Sequence, residues 1–174
     1  MKKNWLKYAI AFTTVLAVRL MPFRTPNIEP IMAVLMPFGK VYGALSAFIF
    51  GVLSIFVYDS VTSGIGVWTI ITALAYGFVG FGSYYYFKNR KSNWKSYALY
   101  AVIMTITYDI LTGLTIGPLF FHQSFVVSLV GQVPFTLLHL LGNVSFAIVL
   151  SPVIEMWAIK MSKKEKIVKS LVTG

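Results

Sequence analysis

The basic residues of this chain come in short clusters, and apolar stretches long enough to cross a lipid bilayer lie between them. Lys2, Lys3 and Lys7 stand at the start, Lys88, Arg90, Lys91 and Lys95 in the middle, and Lys160, Lys163, Lys164, Lys166 and Lys169 at the end. Hydrocarbon offers a backbone no partners and a charge no solvation. The intervening stretches are therefore restricted to helices that satisfy their own N–H and C=O groups, with the basic segments in water. Composition agrees. The chain is 57% hydrophobic and 11% charged, against about 25% charged in an ordinary soluble domain. Its 174 residues suffice for about six crossings of roughly 20 residues each, with no room for a separate soluble catalytic domain. The net charge of +10 reads as a topology signal rather than a nucleic-acid footprint. Cysteine is absent, which excludes disulfides and thiolate metal sites. His122 and His139 are too few for a metal cluster, so neither a metal nor another cofactor is expected.

The apolar runs predict helices over about residues 5–21, 30–38, 41–58, 67–87, 96–111 and 126–158. The first could pass for a signal peptide, but Arg19 interrupts it and no small-residue cleavage site precedes Met21-Pro22-Phe23, so it reads as a retained helix. Pro37 and Phe38-Gly39-Lys40 are expected to end the second helix. That leaves nine residues, about 14 Å at 1.5 Å each, short of a hydrocarbon core of roughly 30 Å. Residues 112–125 read as a loop or short hairpin. The last helix should bend at Pro134 and Pro152.

Charge sets the parity. All three basic clusters lie on the cytoplasmic side only if an even number of crossings separates them, so the short second helix must cross. The expected fold is an all-α membrane protein of six transmembrane helices with both termini cytoplasmic. Residues 1–159 form the membrane domain and residues 160–174 a basic, water-exposed cytoplasmic tail. Of the 15 basic residues, only Arg19 and Arg24 then lie outside. Trp5, Trp94 and Trp157 fall at the inner interface and Trp68 at the outer one.

Ionisable groups at membrane depth face a cavity or a partner. Arg19, Arg24, Glu29, Asp59 and Asp109 all lie toward the outer half. Asp59 and Asp109 stand near helix C-termini, where the helix dipole disfavours an anion. Arg19 or Arg24 is the expected compensating charge, with solvation or a turn cap as the alternative. Tyr58-Asp59 and Tyr108-Asp109 share a Y-D-x-x-T pattern fifty residues apart, through either duplication of a helix pair or chance. Gln132, His139 and Asn143 share one face of the last helix, suited to interhelical hydrogen bonds, and Gln132, nearer the outside, is the better ligand candidate. Small residues recur every fourth position at Ala9, Thr13, Ala17; at Gly43, Ala47, Gly51; and at Ala73, Gly77. Such stripes admit close helix packing. The Gly77–Gly82 run lies inside a helix and has no phosphate-loop context. No nucleophile–base pair appears, so the chain does not read as an enzyme.

The Arg19-Leu20-Met21-Pro22-Phe23-Arg24-Thr25-Pro26-Asn27-Ile28-Glu29-Pro30 stretch, Tyr58-Asp59 and the six-helix plan with a polar outer mouth resemble the substrate-binding S components of energy-coupling factor (ECF) transporters. The resemblance implies that a vitamin or related micronutrient binds near the outer face of the cell membrane. It further implies delivery inward with a transmembrane coupling subunit and two cytoplasmic ATPases. Polarity and position then nominate Arg24, Asn27, Asp59, Trp68, Asp109, Thr112, His122, Gln123 and Gln132 as substrate-binding residues. The family docks its coupling subunit through Ala-x-x-x-Ala on the first helix; here Ala9, Thr13 and Ala17 would serve, with Thr in a place the family gives to Ala. Two other classes fit the composition. A structural or scaffold protein of the cell envelope would be indifferent to loss of Asp59 or Gln132, and a stand-alone secondary transporter would need no ATPase.

Overall fold

The computed structural model describes residues 5–23 and 28–173, with side chains within 6–23 and 28–159. Among the described residues seven helices follow one another: α1 (Trp5–Arg19), α2 (Ile31–Tyr42), α3 (Ala44–Val61), α4 (Val67–Phe87), α5 (Trp94–Gly113), α6 (Ile116–Phe120) and α7 (Phe125–Thr173). Apart from the five-residue α6, they alternate in direction along one bundle. At one end Arg19 of α1 meets Glu29 ahead of α2. At the other, Lys40 of α2 meets Glu155 of α7 at 2.7 Å, Tyr97 of α5 donates to Glu155 at 2.6 Å, and the ammonium of Lys7 lies 5.9 Å from the Tyr42 ring centroid. Lys7 of α1, Lys40 of α2 and the α4–α5 loop, whose Arg90 O accepts from Lys40 Nζ at 3.4 Å, thus gather at one end, as the clustering of charge requires.

Among the described residues, α3, α4, the α5–α6 stretch Trp94–Phe120 and Phe125–Ile159 are long and apolar enough to cross a bilayer. α2 is not, and its surroundings explain why it tolerates that. Every residue from Ile31 to Gly39 is buried, against α3, α4 and α7. A helix that meets protein on all sides does not have to match the bilayer thickness.

Three expectations change here. α2 does not end at Pro37; it runs through that residue to Tyr42, about 18 Å by helical rise. Proline costs a helix one hydrogen bond and a steric clash, which dense packing on every side offsets. Its stop is Gly43, at φ 94°, a conformation that L side chains avoid, and α3 begins at the next residue. Residues 112–125 are not simply a loop: α5 extends to Gly113, and α6 is closed by Leu119 N–H donating to Thr115 O and Phe121 N–H donating to Gly117 O. The backbone of α7 remains helical to Thr173, beyond the expected helix end at about residue 158.

The small-residue stripes of α3 and α4 pack together. A Cβ on Gly51 would sit 2.6 Å from Tyr76 O, and one on Gly80 2.5 Å from Ala47 O. Asn93 caps α5, its Oδ1 accepting from Ser96 N–H at 2.9 Å while Ser96 Oγ accepts from Asn93 N–H at 3.0 Å, a reciprocal arrangement that satisfies two orphan donors. α1 is the most loosely held of the long elements. Tyr8 and Phe12 join it to Phe38 and Phe50 through edge-on ring contacts, and apolar grooves run along both of its sides.

Candidate functional site

A continuous line of polar contacts crosses the bundle toward the end opposite the basic cluster. Arg19 closes α1 and reaches inward: its Nε lies 2.6 Å from Glu29 Oε2, its Nη1 donates to Ser54 O at 3.1 Å, and its guanidinium lies 3.8 Å from the centroid of the Tyr58 ring. Glu29 Oε1 accepts from Tyr76 Oη of α4 at 2.7 Å. Tyr76 Oη is 3.3 Å from His139 Nε2 of α7, and His139 Nδ1 is 2.7 Å from Asp109 Oδ1 of α5. One turn nearer the basic end, Asn143 Nδ2 donates to Thr105 Oγ1 at 2.9 Å. Tyr108 lies against this line, its ring 4.4 Å from that of Tyr76 and 5.5 Å from His139. All these side chains except that of Tyr58 are buried. Ion pairs in such surroundings persist only when geometry and hydrogen bonds compensate desolvation.

Tyr76 gives its one hydroxyl hydrogen to Glu29. A proton lies between His139 Nδ1 and Asp109 Oδ1 at their 2.7 Å contact.

The residues nominated from sequence fall into separate places. Arg24 and Asn27 lie outside the described residues. Asp59, on α3, is buried and its Oδ2 accepts from Thr69 Oγ1 at 2.6 Å. Arg19, one of the two arginines expected to compensate Asp59 and Asp109, is engaged by Glu29, while Asp59 takes a hydroxyl from α4 and Asp109 an imidazole from α7; Arg24, the other, lies outside the described residues. Arg19 leaves α1 beside the residues that lead into α2, so Glu29 meets it before either aspartate can. Thr112 is buried, but its hydroxyl donates to Tyr108 O at 2.9 Å and so is engaged within its own helix. Trp68 packs its ring 6.5 Å from Phe121. Gln123 lies beside Gly117, where a Cβ would come 2.4 Å from its Oε1. His122 is exposed, at φ 52°. These three form a rim around α6. Gln132 donates to Thr136 Oγ1 at 3.1 Å, and it shares with Asp109 a crevice of about 280 Å³ between α5 and α7.

The reading of His139 and Asn143 as interhelical hydrogen-bonding residues holds. Arg19, Glu29, Tyr76, Tyr108 and His139 are members of the line that were not among the nominated substrate-binding residues. Glu29 stood out as an outer acidic residue, but its short-range use as a helix cap competed with its long-range one. Tyr76 and Tyr108 carried no distinguishing signal in a chain with 16% aromatic residues. On α1, Thr13 and Ala17 are exposed and Ala9 is half-buried, so the small-residue stripe faces largely away from the bundle.

The family model described as "ECF-type riboflavin transporter, S component" matches residues 8–159. Comparisons with curated proteins and with solved structures find no match.

Proposed function

Because the chain belongs to the family of ECF-type riboflavin transporter S components, membrane-embedded transporter subunits rather than enzymes, we propose that it captures riboflavin, or a flat micronutrient of similar chemistry, at the outer face of the cell membrane. A transmembrane coupling subunit and two cytoplasmic ATPases then drive its delivery inward. The observation that carries this reading is the family match over nearly the whole bundle. The aromatic and polar cluster of Tyr76, Tyr108, His139 and Asp109 supports it: such a cluster suits a flat heterocycle with polar edges.

In this reading the bundle crosses the membrane six times with both termini cytoplasmic. Support comes from the gathering of Lys7, Lys40 and Arg90 at one end, which the positive-inside rule assigns to the cytoplasm. Residues 1–159 are the membrane domain and residues 160–174 the basic cytoplasmic tail. Asp59, Asp109, Thr112 and Gln132, the rim residues Trp68, His122 and Gln123, and Arg24 and Asn27 between α1 and α2 all belong to the outer end. The coupling subunit docks on the stripe of Ala9, Thr13 and Ala17, where small side chains let a partner helix approach closely.

Two measurements on the purified protein test the proposal. Riboflavin fluorescence should be quenched to a stoichiometric endpoint, and the protein should co-purify with the coupling subunit and ATPases. Thr13→Leu should abolish co-purification while leaving quenching intact. A wild-type protein that neither quenches riboflavin nor retains ATPases would overturn the reading.

A further inference from the structure

The crevice between α5 and α7 has apolar walls and one polar anomaly. Ile106, Ile110, Leu129 and Val133 form the walls, with Gln132 and Thr136 on the α7 side. Asp109 lines the same space. It is 1% exposed, yet its Oδ2 has no hydrogen-bond partner among the described residues. A buried carboxylate oxygen left unpaired is costly, and native structures rarely leave one without a reason.

What would satisfy it follows from the neighbours. Asp109 Oδ1 is already engaged by the imidazole of His139, and the open oxygen calls for an N–H or O–H donor. Thr136 accepts from Gln132, which leaves its own hydroxyl hydrogen to donate. An acceptor on α5 and a donor on α7, between aliphatic walls, complement a group in which an N–H stands next to a carbonyl. Gly113 belongs to the arrangement. A Cβ there would lie 1.7 Å from Gln132 Oε1, so glycine makes room for the glutamine at the mouth.

We infer that the α5–α7 crevice is the subsite that receives the imide or lactam edge of a flat heterocyclic substrate, with Asp109 Oδ2 accepting its N–H and Thr136 donating to the adjacent carbonyl. The inference rests on the functional reading above and names the part of the substrate that the outer end recognises. Asp109 acts as a specificity determinant: it rejects a ring whose N–H is replaced, because the carboxylate oxygen then stays unpaired. His139 acts through Asp109, as a positioning residue that holds the carboxylate.

Riboflavin carries such an edge at N3, and the N3-methylated analogue removes the donor without changing the ring. Fluorescence titration of the intact wild-type protein should show riboflavin binding at least about tenfold tighter than the N3-methyl analogue. Leu129→Trp, which fills the crevice from its wall without touching the polar line, should weaken riboflavin by at least about tenfold. Val149→Phe, also exposed on α7 but outside the crevice, should leave affinity unchanged. Equal affinity for the two flavins, or indifference to Leu129→Trp in a folded, monodisperse protein, would overturn the subsite while leaving riboflavin capture intact. Failure of the wild-type protein to bind riboflavin at all would overturn the functional reading and the subsite with it.

Discussion

The two Y-D-x-x-T segments begin alike and end differently. Each lies near the C-terminal end of a helix, Tyr58-Asp59 in α3 and Tyr108-Asp109 in α5. In each, the threonine hydroxyl donates to the tyrosine carbonyl four residues back, at 2.8 Å for Thr62 and 2.9 Å for Thr112. Beyond that local bond they part. Asp59 meets a neutral hydroxyl, Thr69 in the first turn of α4, and the face of Tyr58 carries Arg19. Asp109 meets His139, and Tyr108 stacks on Tyr76. Depth contributes to the difference. α3 ends two residues after Asp59, whereas α5 runs four residues past Asp109, which lowers that carboxylate toward the centre of the bundle. A shared local motif therefore sets the helix end and leaves the role of the aspartate to whichever helix packs opposite.

The sharpest way to break this comparison is to remove the opposite partner from each aspartate. His139→Leu leaves Asp109 buried without its partner and should cost about 3–5 kcal/mol, read as a large drop in the unfolding midpoint of the detergent-solubilised protein. Thr69→Val takes only a neutral donor from Asp59, so its cost should be about 1–3 kcal/mol in the same assay. Equal losses would mean that the two sites are energetically the same despite their different partners. The smallest effect concerns what the motifs share. Thr62→Val and Thr112→Val each remove one back-bond within a helix and should each cost under about 1 kcal/mol. A clearly larger loss at Thr112 would show that its hydroxyl does more than bond to its own helix.

Much of the fold was legible because it depends on one-dimensional patterns. Basic clusters between apolar runs implied alternating helices, and the contacts of Lys40 and Glu155 at one end with those of Arg19 and Glu29 at the other reproduce that alternation. The stripes of Gly43, Ala47, Gly51 and of Ala73, Gly77 implied close packing, and the backbone approaches at Gly51 and Gly80 realise it. Where local and long-range effects compete, the sequence was less informative. Pro37 reads as a stop for α2, yet packing on all sides carries the helix through it. Asp59 and Asp109 read as candidates for an arginine partner, but Glu29 stands closer to Arg19 along the chain and takes it.

By itself, then, the sequence determined the solvent, the class and the alternation of this protein, because charge and hydropathy act on each segment separately. Only the tertiary structure decided that α2 is a core helix, that Glu29, Tyr76, His139 and Asp109 form one line, and that one oxygen of Asp109 has no partner among the described residues. Those outcomes depend on which side chains meet across helices far apart in the chain. In a low-diversity apolar sequence, many such pairings satisfy the same pattern, and only close packing selects among them.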